Sequence, residues 1–310
     1  MIGKNQTQIT EILLLGFQGL NSWRGIFFIL LFTVYTVTIC GNLLIMLLVA
    51  SCKSLHFPMY MFLAQLSISD VLMTTNIVPN TLVCILRNGT IMSLSGCITQ
   101  LYFFGASGAS ECFILTVMAY DRYLAICNPL RYPSIMNLTL LRKLSIFSWV
   151  LGFSFPLVSA LNIHSLNFCG LHIIDHFFCD LAPILQLSCS ETLRVTLEVV
   201  SLSILVMVLP MVLTGTSYGC IVKAIVRMSS SMDRQKAFST CSSHLMVVCI
   251  FYGTLIIIYM IPTEGLSLAI SKSISLLYTV VTPMVNPIIY SLRNKEVRNS
   301  LNLCIIGKLR

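Results

Sequence analysis

The sequence predicts an all-α membrane protein, a seven-transmembrane helix bundle followed by a short amphipathic C-terminal helix. Three observations carry that expectation. Hydrophobic residues make up 56% of the 310 and Asp, Glu, Lys and Arg only 10%, against roughly 25% charged in an ordinary soluble domain. So little charge leaves one or two globular domains of this length with large unsolvated apolar patches. Seven stretches are long and apolar enough to cross a hydrocarbon core about 30 Å thick, which takes about 20 residues of helix. Finally, Lys and Arg are divided unevenly between the two sides of those stretches.

The elements follow in order. Residues 1–24 are polar-punctuated and carry no recognisable cleavable signal, because the first apolar run, at 25–52, is too long for a secretory h-region. The spans are expected at about 25–52, 58–84, 98–127, 144–163, 199–226, 237–261 and 273–292, with 293–310 as a basic stretch that turns amphipathic and lies along the inner leaflet. Runs this long and continuous exclude the ten-residue alternation of barrel strands. The net charge of +8 sits on an apolar chain and 13 Cys are spread over its length, which sets aside disorder, nucleic-acid binding and a disulfide miniprotein.

Of the 19 basic residues, 14 fall on one side, from Lys53, Arg122 and Arg131 to Arg293, Lys308 and Arg310, and 5 on the other, namely Lys4, Arg24, Arg87, Arg194 and Lys272. The positive-inside rule then places the N-terminus outside and the C-terminus in the cytoplasm. The sequon at Asn5 falls outside as the expected glycan acceptor, as does a second at Asn88 close to the membrane, whereas that at Asn137 falls inside. Cys97, Cys169, Cys179 and Cys189 face the oxidising side, where four cysteines allow three pairings. The other cysteines read as small packing residues, with Cys304 of the tail a palmitoylation candidate. His164, His172 and His176 share the long outer loop at 164–196; surface histidines usually bind nothing, and no metal is assigned to them.

Two acids lie inside otherwise apolar spans, Asp70 and Glu111. Ionisable groups at bilayer depth are costly and mark function by default. With Asn42, Ser67, Asn286 and Ser291 they can form an interior polar network, holding water and a cation such as sodium between the carboxylates; a static network that only glues helices is the alternative. Arg122 closes the third span in Asp121-Arg122-Tyr123, where a cation suits a helix C-terminus. Pro287, in Asn286-Pro-Ile-Ile-Tyr290, removes a backbone donor and frees the carbonyl of Pro283.

Taken in order, Gly41-Asn42, Asp70, Asp121-Arg122-Tyr123, Trp149 and Asn286-Pro287-x-x-Tyr290 resemble the rhodopsin-like G-protein-coupled receptors. The finer pattern resembles the olfactory receptor branch over essentially the whole chain: LHFPMYMFLAQLSISDV at 55–71, MAYDRYLAICNPLRY at 118–132, SY at 217–218, KAFSTCSSHL at 236–245 and PMVNPIIYSLRNKEV at 283–297. Phe57, Met61 and Asn128 depart from the usual Thr, Phe and His. The resemblance implies disulfides Cys97–Cys179 and Cys169–Cys189, a plasma-membrane (ciliary) location, and activation of a stimulatory heterotrimeric G protein without a cofactor. It implies a switch at Asp121, Arg122, Tyr123, Tyr218, His244, Asn286, Pro287 and Tyr290. It also implies an odorant site between helices three, five, six and seven, at Phe104, Gly108, Ala109, Cys112, Leu202, Ser203, Val206, Tyr252, Ile256, Tyr259, Leu276 and Thr279. Those positions offer no full charge, so a small, neutral, mostly apolar ligand is expected. Amine receptors carry an Asp where Phe104 stands.

Two other readings compete with this one. A secondary transporter would also use midplane carboxylates, but paired repeats with broken helices are not found. A receptor of the same class for another small molecule is the nearer rival. An enzyme is not expected, since the spans show no metal-ligand pair and no nucleophile with its base.

Overall fold

A computed structural model describes residues 10–169, 172–260 and 268–305, without the side chains at 258–260, 268, 269, 295 and 303–305. Seven helices of membrane length run through it. They are α1 (Arg24–Ser51), α2 (Pro58–Arg87), α3 (Leu94–Cys127), α4 (Leu138–His164), α5 (Leu193–Arg227), α6 (Ser231–Met260) and a seventh, α7, over 268–293. A short α8 (Lys295–Ile305) follows.

The helices outrun the charge-free stretches because charge and capping report different boundaries. A side chain loses its charge penalty once it reaches water, whereas a helix stops where its end is capped. So α4 begins six residues before the uncharged run, where the Asn137 carboxamide accepts the Leu140 amide at 2.9 Å, and carries Arg142 and Lys143 on its first turns. The α3 start is fixed the same way, by Ser93 accepting from Gly96 at 3.1 Å.

The α3 helix is the axis of the bundle, packed against α2, α4, α5 and α6. Its closest approach is to α4: a Cβ placed on Gly152 would lie 2.8 Å from the Ser110 backbone, so a side chain there would part the two helices. Small residues serve this purpose widely in membranes, where apolar surface alone gives no drive to associate. Gly41 does the same for α1 and α7, its absent side chain leaving room for Pro287 at 3.1 Å. A ring of Ile, Leu, Val and Phe faces outward on α1, α4 and α5, with Ile29, Ile146 and Leu205 among the exposed, as lipid solvation requires.

The outer face adds a small sheet to the helical bundle. Strand β1 (Glu11–Leu14) pairs antiparallel with β2 (Thr90–Ser93) and parallel with β3 (Ile173–Ile174), giving sheet order β2-β1-β3. Ile12 and Leu14 turn inward and are fully buried, beside Cys97 and Cys179. These two cysteines are joined, with Cα atoms 5.4 Å apart, and Cys169 is joined to Cys189 at 5.8 Å. Lys272 of α7 finishes the cap: its ammonium, on a residue only 6% exposed, donates to the Gly16 carbonyl at 2.6 Å and to Asp175 at 2.5 Å.

Candidate functional site

Two sets of groups in the bundle answer to the expected roles, one at mid-depth and outward, one at the inner end. At mid-depth, Asp70 is fully buried on α2 and accepts the Asn286 amide of α7, which lies 3.1 Å from both carboxylate oxygens. Asn42 of α1 donates to the Thr38 carbonyl at 3.0 Å and to the Pro283 carbonyl at 3.1 Å. The second of these carbonyls is the one that Pro287 leaves without its helical donor, so α1 supplies what α7 lacks. Glu111 is buried on α3, within electrostatic reach of Asp70, with its Oε1 unpartnered. Ser67 is buried on α2, and Ser291 bonds back to its own helix at Ile288. Trp149 donates to Gln65, tying α4 to α2 at 3.1 Å.

Outward from this network lies a cluster of apolar and aromatic side chains. Phe104 packs against Phe178, with ring centroids 5.2 Å apart, and edge-on against Tyr278 at 5.9 Å. Cys112, Phe251, Tyr252 and Tyr278 are buried with them, and Leu276 packs on the margin. Gly108 is pressed by the Tyr278 hydroxyl, which stands 2.6 Å from where its Cβ would be. Ala109, Val206 and Thr279 are buried, and the Thr279 hydroxyl bonds the Ser275 carbonyl at 2.8 Å. Leu202 and Ser203 are half-buried on α5, whereas Ile256 is exposed and stands outside the cluster. The Tyr259 side chain lies outside the described residues, as does Asn5. Phe178, brought down by the Cys97–Cys179 bridge beside it, and Tyr278 and Phe251 join the cluster beyond the positions the sequence marks. A loop aromatic next to a disulfide cysteine was the one available signal for the first.

One turn of α7, Leu277–Val281, is a π-helix. Its extra residue puts Tyr278, Thr279 and Val280 all inward. Such turns occur mostly at functional sites.

At the inner end, Arg122 forms an ion pair with Asp121, whose other oxygen accepts the Tyr132 hydroxyl at 2.8 Å. Tyr123 is half-buried and packs with Ala119, Tyr218, Ile221 and Cys241. Tyr218 of α5 and His244 of α6 are both buried and joined through the hydroxyl and Nδ1 at 2.7 Å. His244 Nε2 and the fully buried Tyr290 hydroxyl have no partner. No group of three or more His, Cys, Asp or Glu poised for a metal occurs among the described residues.

A half-buried Arg restrained by the acid before it, next to two long helices whose inner ends are joined, among the described residues, by one side-chain pair, is the inner end of a rhodopsin-like seven-helix receptor. Comparison with known proteins agrees and goes further. A family model described as olfactory receptor matches residues 31–308. The chain is 46% identical to human olfactory receptor 11L1 over 298 residues, covering 96% of this chain and 92% of that protein. It is 44% identical to human olfactory receptor 10A7 over 309 residues, 100% of this chain and 98% of the relative, and 44% identical to rat olfactory receptor 287 over 306 residues, 99% and 98% respectively. The chain belongs to the olfactory receptor family, a family of odorant-responsive G-protein-coupled receptors and not of enzymes.

Proposed function

We propose that this receptor takes a small, neutral, mostly apolar odorant between α3, α5, α6 and α7 and activates a stimulatory heterotrimeric G protein. The observation that carries the ligand class is the interior cluster of Phe104, Cys112, Phe178, Phe251, Tyr252 and Tyr278. It presents aromatic and aliphatic surface and a few hydroxyls, with no formal charge. Burial there is worth about 25 cal/mol per Å² of apolar surface, and one or two hydroxyls set the orientation. Tyr259 and Ser203 are the proposed donors from α6 and α5.

Activation then exchanges partners at the inner end. The outward movement of α6 breaks the Tyr218–His244 pair, and Tyr218 and Tyr290 turn to Arg122 as it leaves Asp121. The odorant drives this only through tighter binding to the open arrangement. Asp70, Glu111, Asn42 and Asn286 set the balance, with sodium between the acids in the resting state. The N-terminus is outside with a glycan on Asn5, the C-terminus is cytoplasmic, and the working location is the plasma membrane of olfactory cilia.

The test is a cyclic-AMP assay in cells carrying the chain, run against a chemically broad odorant panel. Neutral apolar agonists are expected, with Tyr259→Phe weakening oxygenated agonists more than hydrocarbons of the same shape, and Arg122→Ala reaching the surface without signalling. Agonists that are all carboxylates, permanent cations or peptides overturn the ligand class; a calcium response without cyclic AMP overturns the transducer.

A further inference from the structure

From the geometry of the inner leaflet side we infer that the groove between α1, α7 and α8 is a binding site for an anionic phospholipid, one acyl chain in the groove and the headgroup on the basic residues at its mouth. The groove is lined by Val37, Gly41 and Leu44 of α1, Ile288 of α7, and Val297 and Leu301 of α8. It exists because Gly41 has no side chain: Pro287 closes on the α1 backbone there and leaves a furrow on the lipid side. The α8 helix forms its floor, held by the Ser54 and Ser300 hydroxyls at 3.3 Å.

Size selects the kind of molecule. The volume is about 80 Å³, space for several water-sized groups at about 10–15 Å³ each, so the groove takes a slender part of a molecule. A single alkyl chain is the narrowest apolar group that a bilayer offers to it. The lining is almost wholly apolar, so the groove itself supplies burial and no polar recognition.

Charge selects the headgroup. Arg293 follows the groove's α7 wall, Arg298 sits one residue beyond Val297, and Lys53 lies in the short turn that packs against α8. All three are exposed, and the ion pairs among the described residues use none of them. Glu296 is the one acid on α8, against its Lys295 and Arg298. Each basic residue near a membrane surface adds to the attraction for anionic lipid. Chain-wide apolar groove and bare basic rim therefore point to the same molecule, a phospholipid with net negative charge.

Photo-crosslinking of the purified full-length receptor in phosphatidylcholine nanodiscs tests this. Two probes carry the same diazirine-bearing acyl chain, one on phosphatidylinositol 4-phosphate and one on phosphatidylcholine. The anionic probe is expected to label several-fold more, with adducts on residues 37–48 and 288–301. Labelling should fall several-fold in Arg293→Gln/Arg298→Gln and in Ile288→Trp, which fills the groove from an exposed position; a thermal melt reports whether each variant is folded. Equal labelling by the two probes, adducts elsewhere, or a receptor dimer that seals α1 against both overturns the assignment. The comparison of probes on the unaltered chain decides it even if a variant does not fold.

Discussion

The Tyr218 hydroxyl and His244 Nδ1 are 2.7 Å apart in a buried site between α5 and α6. The pair is the one side-chain hydrogen bond described between α5 and α6, so opening the bundle at its inner end must break it. A neutral hydrogen bond contributes about 1 kcal/mol net, small enough for an odorant to overcome. His244→Leu should therefore raise basal cyclic AMP about fivefold at equal surface expression, since Tyr218 is released toward Arg122. Basal signalling at the level of the parent chain would dismiss the latch.

Asp70 and Glu111 make a prediction about salt. Both are buried, the Asn286 amide bonds Asp70, and a Glu111 oxygen lacks a partner, so the pair needs a neutraliser, either a proton or a cation; sodium is the proposed one. Replacing sodium by N-methylglucamine should lower the odorant concentration needed for half-response in the parent chain and leave Asp70→Asn unmoved. Dose-response curves that superimpose in both media count against sodium.

A third expectation concerns pH at the outer cap. His176 is 4% exposed, and burial first, then the neighbouring Lys272 ammonium, push its imidazole down to about 4, while Asp175 works the other way. A histidine that is neutral when folded and titrates near 6.5 when unfolded stabilises the fold above 6.5 and loses that contribution as pH falls toward 4. The full swing is at most about 3 kcal/mol. Melting temperature of the solubilised receptor should drop between pH 6.5 and 4.5, and His176→Leu should flatten the drop. An unchanged slope in the variant would show that other groups carry it.

Glycines give the sharpest contrast in stability. Gly152→Ala drives a methyl into the Ser110 backbone, while a Cβ on Gly253 meets nothing within 4 Å. Overpacking costs about 1–3 kcal/mol, and Ala in an open helical site gains up to about 1 kcal/mol over Gly. Surface expression should fall for Gly152→Ala and hold or rise for Gly253→Ala; similar levels for the two would mean that α3 and α4 part without cost.

The bundle was legible because a membrane writes its thickness into the chain as uncharged length, and the interior network because Asp70 and Asn286 stand out against apolar neighbours. The outer cap was not. Strands of four and two residues give no period to detect, and the pairing of Leu13 with Ile173 depends on where the helices bring their ends. Lys272 counted as one more basic residue on the outer side, since nothing local distinguishes a lysine that will be buried on Gly16 and Asp175. In the ligand region, helical spacing marks inward positions on the spans but carries no sign of Phe178, which arrives from a loop.

The β1 strand has a further consequence, for the order in which the chain is made. Leu13 is synthesised near the beginning, yet its parallel partner Ile173 emerges only after four helices, and the lysine that fastens Gly16 only with the last. Through the first half of translation, then, a short apolar strand waits with one edge bare. Pairing with Ile173 covers that edge before the last three helices are made, and Lys272 fastens the segment at Gly16 only when the final helix has docked.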